Sequence, residues 1–277
     1  MKTAWIFPGG SARAVYTAGS IYALCDLGIS RPDIIIGGSG STGNCLCYVA
    51  NQKEIIKEVW CNRLSTYNFL SFWRFWKILN IDYLIDIVLK KDNPLNIKEI
   101  VNSSIIVYLP VTDSKTGEIE YISNKMDVDL YEVLRASISV PIWTNLFSVM
   151  GNFVNGKYYS DSPPSARFQL HIQKAIEEGA KRIIVFDSWH HDDNPTGFLY
   201  AKIYTYMRNR EYKERQLSYI KQIENFVPPK NVEFVHLYPL KKLNMSRIET
   251  DNDNARKIFN QGYDETFHNE ELKRVYI

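Results

Sequence analysis

Twice within its first fifty residues the chain runs from an apolar stretch through glycines into a helical pattern. "TAWIF" from Thr3 leads into "PGGSAR", after which Val15, Ala18, Ile21, Tyr22 and Cys25 recur at helical spacing. "DIIIGG" from Asp33 leads into "STGNCLCYVA", which opens a second helix. Two such units in succession argue for a parallel sheet built from right-handed crossovers, hence an α/β chain.

The later runs fit the same plan. Strands are expected at "SIIVYLPVT" from Ser104, "GEIEYIS" from Gly117, "KRIIVFDS" from Lys181 and "NVEFVHLYPL" from Asn231. Helices are expected at "DVDLYEVLRAS" from Asp127, at "SARFQLHIQKAIEEGA" from Ser165, over the polar stretch 197–226 and from Asp253 onwards. Asn155-Gly156 marks a hairpin turn before a strand "KYYS". No linker or repeat divides the chain, so residues 1–277 are expected to form one domain. Residues 60–90, with three tryptophans and several other aromatics, are expected to form a helical cap, either completing the core or walling an acyl pocket.

Composition narrows the partners. Lys plus Arg total 33 and Asp plus Glu 31, a balance that does not suggest nucleic acid. The four cysteines, Cys25, Cys45, Cys47 and Cys61, have no CxxC pair and no histidine nearby, and so are expected to be reduced thiols of a cytoplasmic protein. No apolar run approaches the roughly 20 residues of a membrane span, so membrane contact is expected to be peripheral at most. The charged stretch 208–215 is expected to be a solvated face, or else a contact for anionic headgroups.

The stretch "GGSGSTG" carries two fingerprints. Gly38, Gly40 and Gly43 spell GxGxxG, a cradle for a dinucleotide pyrophosphate. That reading needs an acid at the end of the next strand, but Glu54 and Glu58 fall in a helical pattern. Around Ser39 the same residues are a near match to the GxSxG nucleophile elbow, with Ser41 at the second glycine. A strand, a tight turn of small residues and a helix amino terminus are what an exposed serine nucleophile and its oxyanion require. No histidine precedes His171, and His171, His190, His191, His236 and His268 sit in no catalytic setting. A serine paired with a group other than histidine is therefore the better reading. Asp113, Asp161 and Asp187 all lie at strand ends, and spacing alone does not choose among them.

These residues resemble the patatin-like phospholipases, also called patatin-like acyl hydrolases. "PGGSARAVYTAG" is similar to the family's glycine-rich loop, with Gly9, Gly10, Arg13, Tyr16, Thr17 and Gly19 in place. The family's elbow is matched by Pro32, Asp33, Gly37, Ser39 and Asn44, which selects Ser39 as nucleophile, with Gly37, Gly40 and Ser41 around it. "LRASISVPIW" resembles a further family segment, and "NGKYYSDSPPSA" the one with the catalytic aspartate, here Asp161. The sequence departs from the pattern at Pro8, Ser41 and Ser162-Pro163.

The resemblance implies a three-layer α/β/α sandwich with a mainly parallel sheet. It also implies a Ser39–Asp161 dyad that hydrolyses lipid acyl esters. The oxyanion donors would be the N–H groups of Gly9, Gly10 and Ser11, with Arg13 either adding positive charge there or pairing with a surface carboxylate. No cofactor or metal is implied, and the partner is a lipid or acyl-ester substrate. A patatin fold retained for lipid binding without catalysis is the competing class, and a dinucleotide-binding oxidoreductase the third.

Overall fold

The computed structural model describes residues 1–141, 143, 144, 151–193, 205 and 208–276. In chain order the first elements are β1 (Thr3–Phe7), α1 (Ala14–Leu27), β2 (Ile34–Gly37), α2 (Thr42–Val49), α3 (Lys53–Glu58) and α4 (Ile97–Asn102). There follow β3 (Ile106–Asp113), β4 (Ile119–Ser123), α5 (Leu130–Ile138), β5 (Asn152–Val154) and β6 (Lys157–Ser160). The last are α6 (Phe168–Glu177), β7 (Arg182–Phe186), α7 (Arg210–Glu224), β8 (Glu233–Leu237), α8 (Asn252–Phe267) and α9 (Glu270–Tyr276).

Five strands, in the order β3-β2-β1-β7-β8, pair in parallel, as the strand–glycine–helix pattern requires. The antiparallel part is confined to one end. There β4 runs along one edge of β3, and the β5–β6 hairpin joins the other edge at Thr112 and Asp113. The hairpin turns at Asn155 and Gly156, both at positive φ, the geometry an Asn-Gly pair favours.

Side-chain alternation sorts the sheet into two covered faces. Trp5, Phe7, Ile35, Val107, Leu109, Ile184 and Phe186 point to a large core shared with α1, α2, α5 and α8. Ala4, Ile6, Ile34, Ile36, Ile183 and Val185 point the other way and meet Phe168, Ile172 and Ala175 of α6. The result is a three-layer α/β/α sandwich. Its thicker layer depends on α1 and α8 nearly touching: a Cβ on Gly19 would lie 1.9 Å from the Phe259 carbonyl oxygen.

Two expectations change. Residues 60–90 are helical only at their ends, in the π-helical segments Val59–Arg63 and Tyr83–Asp92. Between them the chain folds back on itself, with Leu70 bridged to Leu79 and Ser71 N–H donating to Ile78. A helix there would carry aromatic rings on all sides, whereas the folded loop buries Leu70 and turns Trp73 outward. Arg74 stabilises the loop by donating to the carbonyls of Tyr67, Asn68 and Phe69.

The second change concerns the polar helix expected over 197–226. Its described part is α7, capped by the Asn209 side chain, which accepts from Tyr212 N–H at 2.9 Å; residues 197–204, 206 and 207 lie outside the described residues. Tyr212, Gln216 and Ile220 form its buried stripe, and Arg210, Glu211, Glu214 and Arg215 its solvated face. All four cysteines are free thiols. Among the described residues no helix is long and apolar enough to cross a membrane.

Candidate active site

The loops after β1 and β2 meet at the carboxyl end of the sheet, the edge where open parallel sheets place ligands. Gly38 N–H donates to Phe7 C=O at 2.9 Å and ties the two loops together. Beyond Gly37, which ends β2, Ser39 takes a left-handed φ of +47°, and a single 3₁₀ turn then leads into α2. A non-glycine residue held there is strained, and the strain turns the serine out of the strand at the head of a helix. Close approach makes Gly9 obligatory: a Cβ on it would lie 2.5 Å from Ser39 Cβ and 2.7 Å from Ala166 Cβ.

Ser41 carries its own bond. Its hydroxyl donates to the Pro8 carbonyl at 2.8 Å and lies 3.0 Å from Thr17 Oγ1. Two of the three departures from the pattern that the sequence resembles, Pro8 and Ser41, are thus partners that fasten the elbow to the glycine loop. Gly40 follows Ser39 and packs against the Ser11 carbonyl. Thr42 Oγ1 donates to Gly37 C=O at 2.9 Å and lies 2.9 Å from Ser137 Oγ, so the "RAS" stretch of α5 braces the start of α2.

Ser39 Oγ donates to Asp161 Oδ2 at 2.6 Å. Asp161 follows β6 and is buried, 3% exposed. Burial pushes its carboxyl up to about 7, opposed by hydrogen bonds from Ser39, Ser165 and the Ser162 backbone. The cap of the turn after Asp161 falls to Ser162, whose hydroxyl accepts from Ser165 N–H at 3.2 Å. Ser162 N–H in turn reaches Ser165 Oγ at 3.0 Å, and Ser165 Oγ lies 3.2 Å from Asp161 Oδ1. Sequence reasoning missed Ser165, Ser137 and Thr42; only the density of small hydroxyl residues around the elbow and after Asp161 pointed to them.

The other acids are engaged elsewhere. Asp113 accepts from the N–H groups of Lys115 and Thr116, and Asp187 from Trp189 N–H, with His236 Nε2 at 3.2 Å from its other oxygen. Among the described residues no histidine hydrogen-bonds Ser39 or Asp161. His171 is fully buried beside Tyr121, and burial lowers its pKa to about 3, so it is neutral. Glu54 and Glu58, the acids at dinucleotide spacing, lie on α3 and bond Tyr22 and Asn62.

Two expectations for the oxyanion site need correction. Gly9 N–H is consumed by the Ala166 carbonyl at 2.8 Å, because the loop uses it to hold the turn after Asp161. Gly10 and Ser11 line the cavity beside Ser39, and their N–H groups have no hydrogen-bond partner among the described residues. The Arg13 guanidinium points away, pairing with Asp193 at 2.7 Å and donating to Met245 C=O and Ser188 C=O. Of its two expected roles, pairing with a carboxylate is the one realised, and the partner is largely buried.

Ser39 stands where two cavities join. One is apolar, lined by Val15, Trp60, Phe69, Leu70, Leu84 and Leu134 among others, so residues 60–90 do supply a wall. Trp60 is fixed there by donating its indole N–H to Asn44 Oδ1 at 2.6 Å. The other cavity, of about 180 Å³, is lined by Gly10, Asp161, Arg167, Trp189 and Arg247.

No protein-family model matches the sequence, and no curated protein matches it. Among solved structures the chain is similar to VipD from Legionella pneumophila. The identity is 12% and the TM-score 0.53, covering 99% of this chain and 67% of that one. At that identity the likeness is one of architecture, and it gives the α/β/α sandwich a patatin-like fold.

Proposed function

We propose that the protein is a serine acyl hydrolase acting on lipid acyl esters through Ser39 and Asp161. The observation that carries this is the 2.6 Å hydrogen bond between a strained, cavity-facing serine and a buried aspartate lifted to about 7. Ionised Asp161 accepts the Ser39 proton as Oγ attacks the ester carbonyl. The oxyanion forms near the N–H groups of Gly10 and Ser11 and the head of α2. Asp161 then returns the proton to the departing alkoxide, leaving an acyl-serine. Water activated by Asp161 releases the acid and restores the serine. The apolar cavity holds the acyl chain during these steps.

The loop that lines this cavity with Phe69, Leu70 and Leu79 also exposes Tyr67, Phe72, Trp73, Phe75 and Trp76. Five outward aromatics on one loop suit the headgroup layer of a lipid surface, from which the chain would draw its substrate. A fluorophosphonate, which reacts with activated serines, tests the chemistry. The expected adduct is on Ser39 and is absent from folded Asp161→Asn protein. No adduct anywhere in folded wild type would overturn the hydrolase reading in favour of lipid binding without catalysis.

A further inference from the structure

Asp161 is held by more than the serine it faces. Its Oδ2 accepts from Ser39 Oγ at 2.6 Å, its N–H donates to the Ser139 carbonyl at 2.9 Å, and its Oδ1 lies 3.2 Å from Ser165 Oγ. Ser165 is itself fixed. Its Oγ accepts from Ser162 N–H at 3.0 Å and its own N–H donates to Ser162 Oγ at 3.2 Å, a reciprocal clasp at the 3₁₀ turn Pro164–Ala166. Thr112, near the end of β3, donates its hydroxyl to Ser162 Oγ at 2.8 Å and anchors the clasp to the sheet. The third departure from the pattern, Ser162-Pro163, therefore builds this turn: a glycine in place of Ser162 would offer no hydroxyl to Ser165 or Thr112. Thr112, Ser162 and Ser165 are all buried, so bulk water does not replace a bond lost among them.

A serine hydroxyl carries one proton to donate. That of Ser165 has two acceptors in reach, the Ser162 carbonyl at 2.8 Å and Asp161 Oδ1 at 3.2 Å, and serves one at a time. With Asp161 neutral, the nearer carbonyl is the better partner. With Asp161 ionised the carboxylate is, because a bond to a charged acceptor is roughly twice as strong as one between neutral groups. Rotation about the Ser165 Cβ–Oγ bond exchanges the two, and no heavy atom has to move. The other ionisable groups on the surrounding elements are Asp113 at the end of β3, Arg135 on α5, His171 on α6, Asp187 after β7, and Arg167 and Arg247 on the cavity wall. None of them governs Asp161, where burial is balanced against hydrogen bonds from Ser39, Ser165 and the Ser162 backbone.

We propose that Ser165 is a positioning residue for Asp161, its hydroxyl turning toward Oδ1 when the carboxyl is ionised and back to the Ser162 carbonyl when Asp161 holds the Ser39 proton. The inference rests on the hydrolase reading for its place in the reaction, and on the hydrogen bonds alone for its effect on Asp161. Before attack, the bond to Oδ1 keeps Oδ2 directed at Ser39 and favours the ionised form that can act as a base. When Ser39 attacks, its proton passes to Oδ2 and the Ser165 hydroxyl turns away. It turns back when Asp161 gives that proton to the departing alkoxide. Ser165 itself neither gains nor loses a proton.

The test is the pH dependence of kcat/KM on a neutral, soluble ester, which reports the free enzyme. In wild type the rate is expected to rise through about 7. Ser165→Ala removes a donor to the ionised form, so the rise is expected about one pH unit higher, which at pH 6 is about a tenfold loss. Ser165→Thr keeps the hydroxyl and is expected to return the rise toward its wild-type position. Ser165→Cys nearly keeps the shape but carries only a weak donor; it should shift the rise in the same direction as alanine, and serves if the alanine variant does not fold. A purely structural role would lower the rate alike at every pH. A rise that stays in place in both folded variants, whatever the loss of rate, overturns the proposal.

A second arm needs no turnover. The Asp161 carboxyl carbon is followed by carbon-13 NMR in protein labelled at its aspartates, and is identified as the signal missing from Asp161→Asn. An upward shift of its midpoint in Ser165→Ala or Ser165→Cys supports the role of Ser165 even if wild type cleaves no ester, and the hydrolase reading alone then falls. Wild-type cleavage with a midpoint that neither variant moves leaves the hydrolase standing and removes Ser165 from it.

Discussion

The elbow around Ser39 and the aromatic segment 60–90 both face the apolar cavity, yet they are built by opposite rules. In the elbow nearly every position is fixed by its immediate neighbours: Gly9 by contact with Ser39, Ser41 by the Pro8 carbonyl, Thr42 by the Gly37 carbonyl. In the aromatic segment, residue type decides almost nothing. Trp60 is 7% exposed and hydrogen-bonded to Asn44, whereas Trp73 is 86% exposed. A short-range site is thus written into its own residues, while a wall is shaped by what it packs against.

The largest test of this contrast is Asp161→Asn, which alters one charge and almost no shape. Turnover is expected to fall by about 10²–10⁴-fold, the usual contribution of a general base. In wild type the rate should rise with pH through about 7 as Asp161 ionises. Stability moves the opposite way. The folded pKa lies above the ordinary 3.8, so the acid is accommodated below about pH 4, and stability is lost as pH rises toward and through 7. The asparagine variant should therefore be more stable than wild type at pH 8, by on the order of 4 kcal/mol at most, with the gap closing near pH 4. Denaturant titrations at the two pH values check this, and a variant no more stable at pH 8 would place Asp161 in contact with water.

Gly9→Ala comes next. Its new methyl group would overlap Ser39 Cβ and Ala166 Cβ, and a serine displaced by about 1 Å loses on the order of 10²-fold in rate. Activity against a soluble ester, measured beside the thermal midpoint, separates displacement of the serine from general unfolding. Wild-type activity in this variant would show that the elbow yields as freely as the aromatic loop.

How much was legible follows from the same contrast. Parallel strands, the Asn155-Gly156 hairpin and the meeting of Ser39 with Asp161 were all expected, since each rests on residues with few alternative conformations. The choice of Asp161 over Asp113 and Asp187 came from resemblance, and the geometry now supplies a reason: the other two carboxylates are held by backbone N–H groups near their own strands. Gly9 looked like an oxyanion donor because the sequence does not reveal that Ala166, 157 positions away, takes its N–H. The folding back of residues 64–80 was hidden for a similar reason. Aromatics on every side resemble a buried helix until one knows which of them the rest of the core admits.

Ser41→Ala probes the join between loop and elbow with a smaller effect. It leaves the Pro8 carbonyl without its hydroxyl donor, a loss of about 1–3 kcal/mol of stability measured by chemical denaturation. No change would mean that Ser41 only fills the glycine's place, and that the elbow is held by backbone geometry alone.

Trp73→Ser should have the smallest effect on folding and is the sharpest test of the aromatic side of the comparison. The ring is 86% exposed, so its removal is expected to shift stability by no more than about 0.5 kcal/mol. Its exposed area is nonetheless large and apolar, and an aromatic ring of this kind is most at home at the boundary of a lipid layer. Partition onto phospholipid vesicles, read by co-sedimentation, is expected to weaken in the variant while the thermal midpoint stays in place. A midpoint that falls by several degrees would mean that Trp73 packs against the protein in solution, and the aromatic loop would then be, like the elbow, a structure fixed by its own contacts.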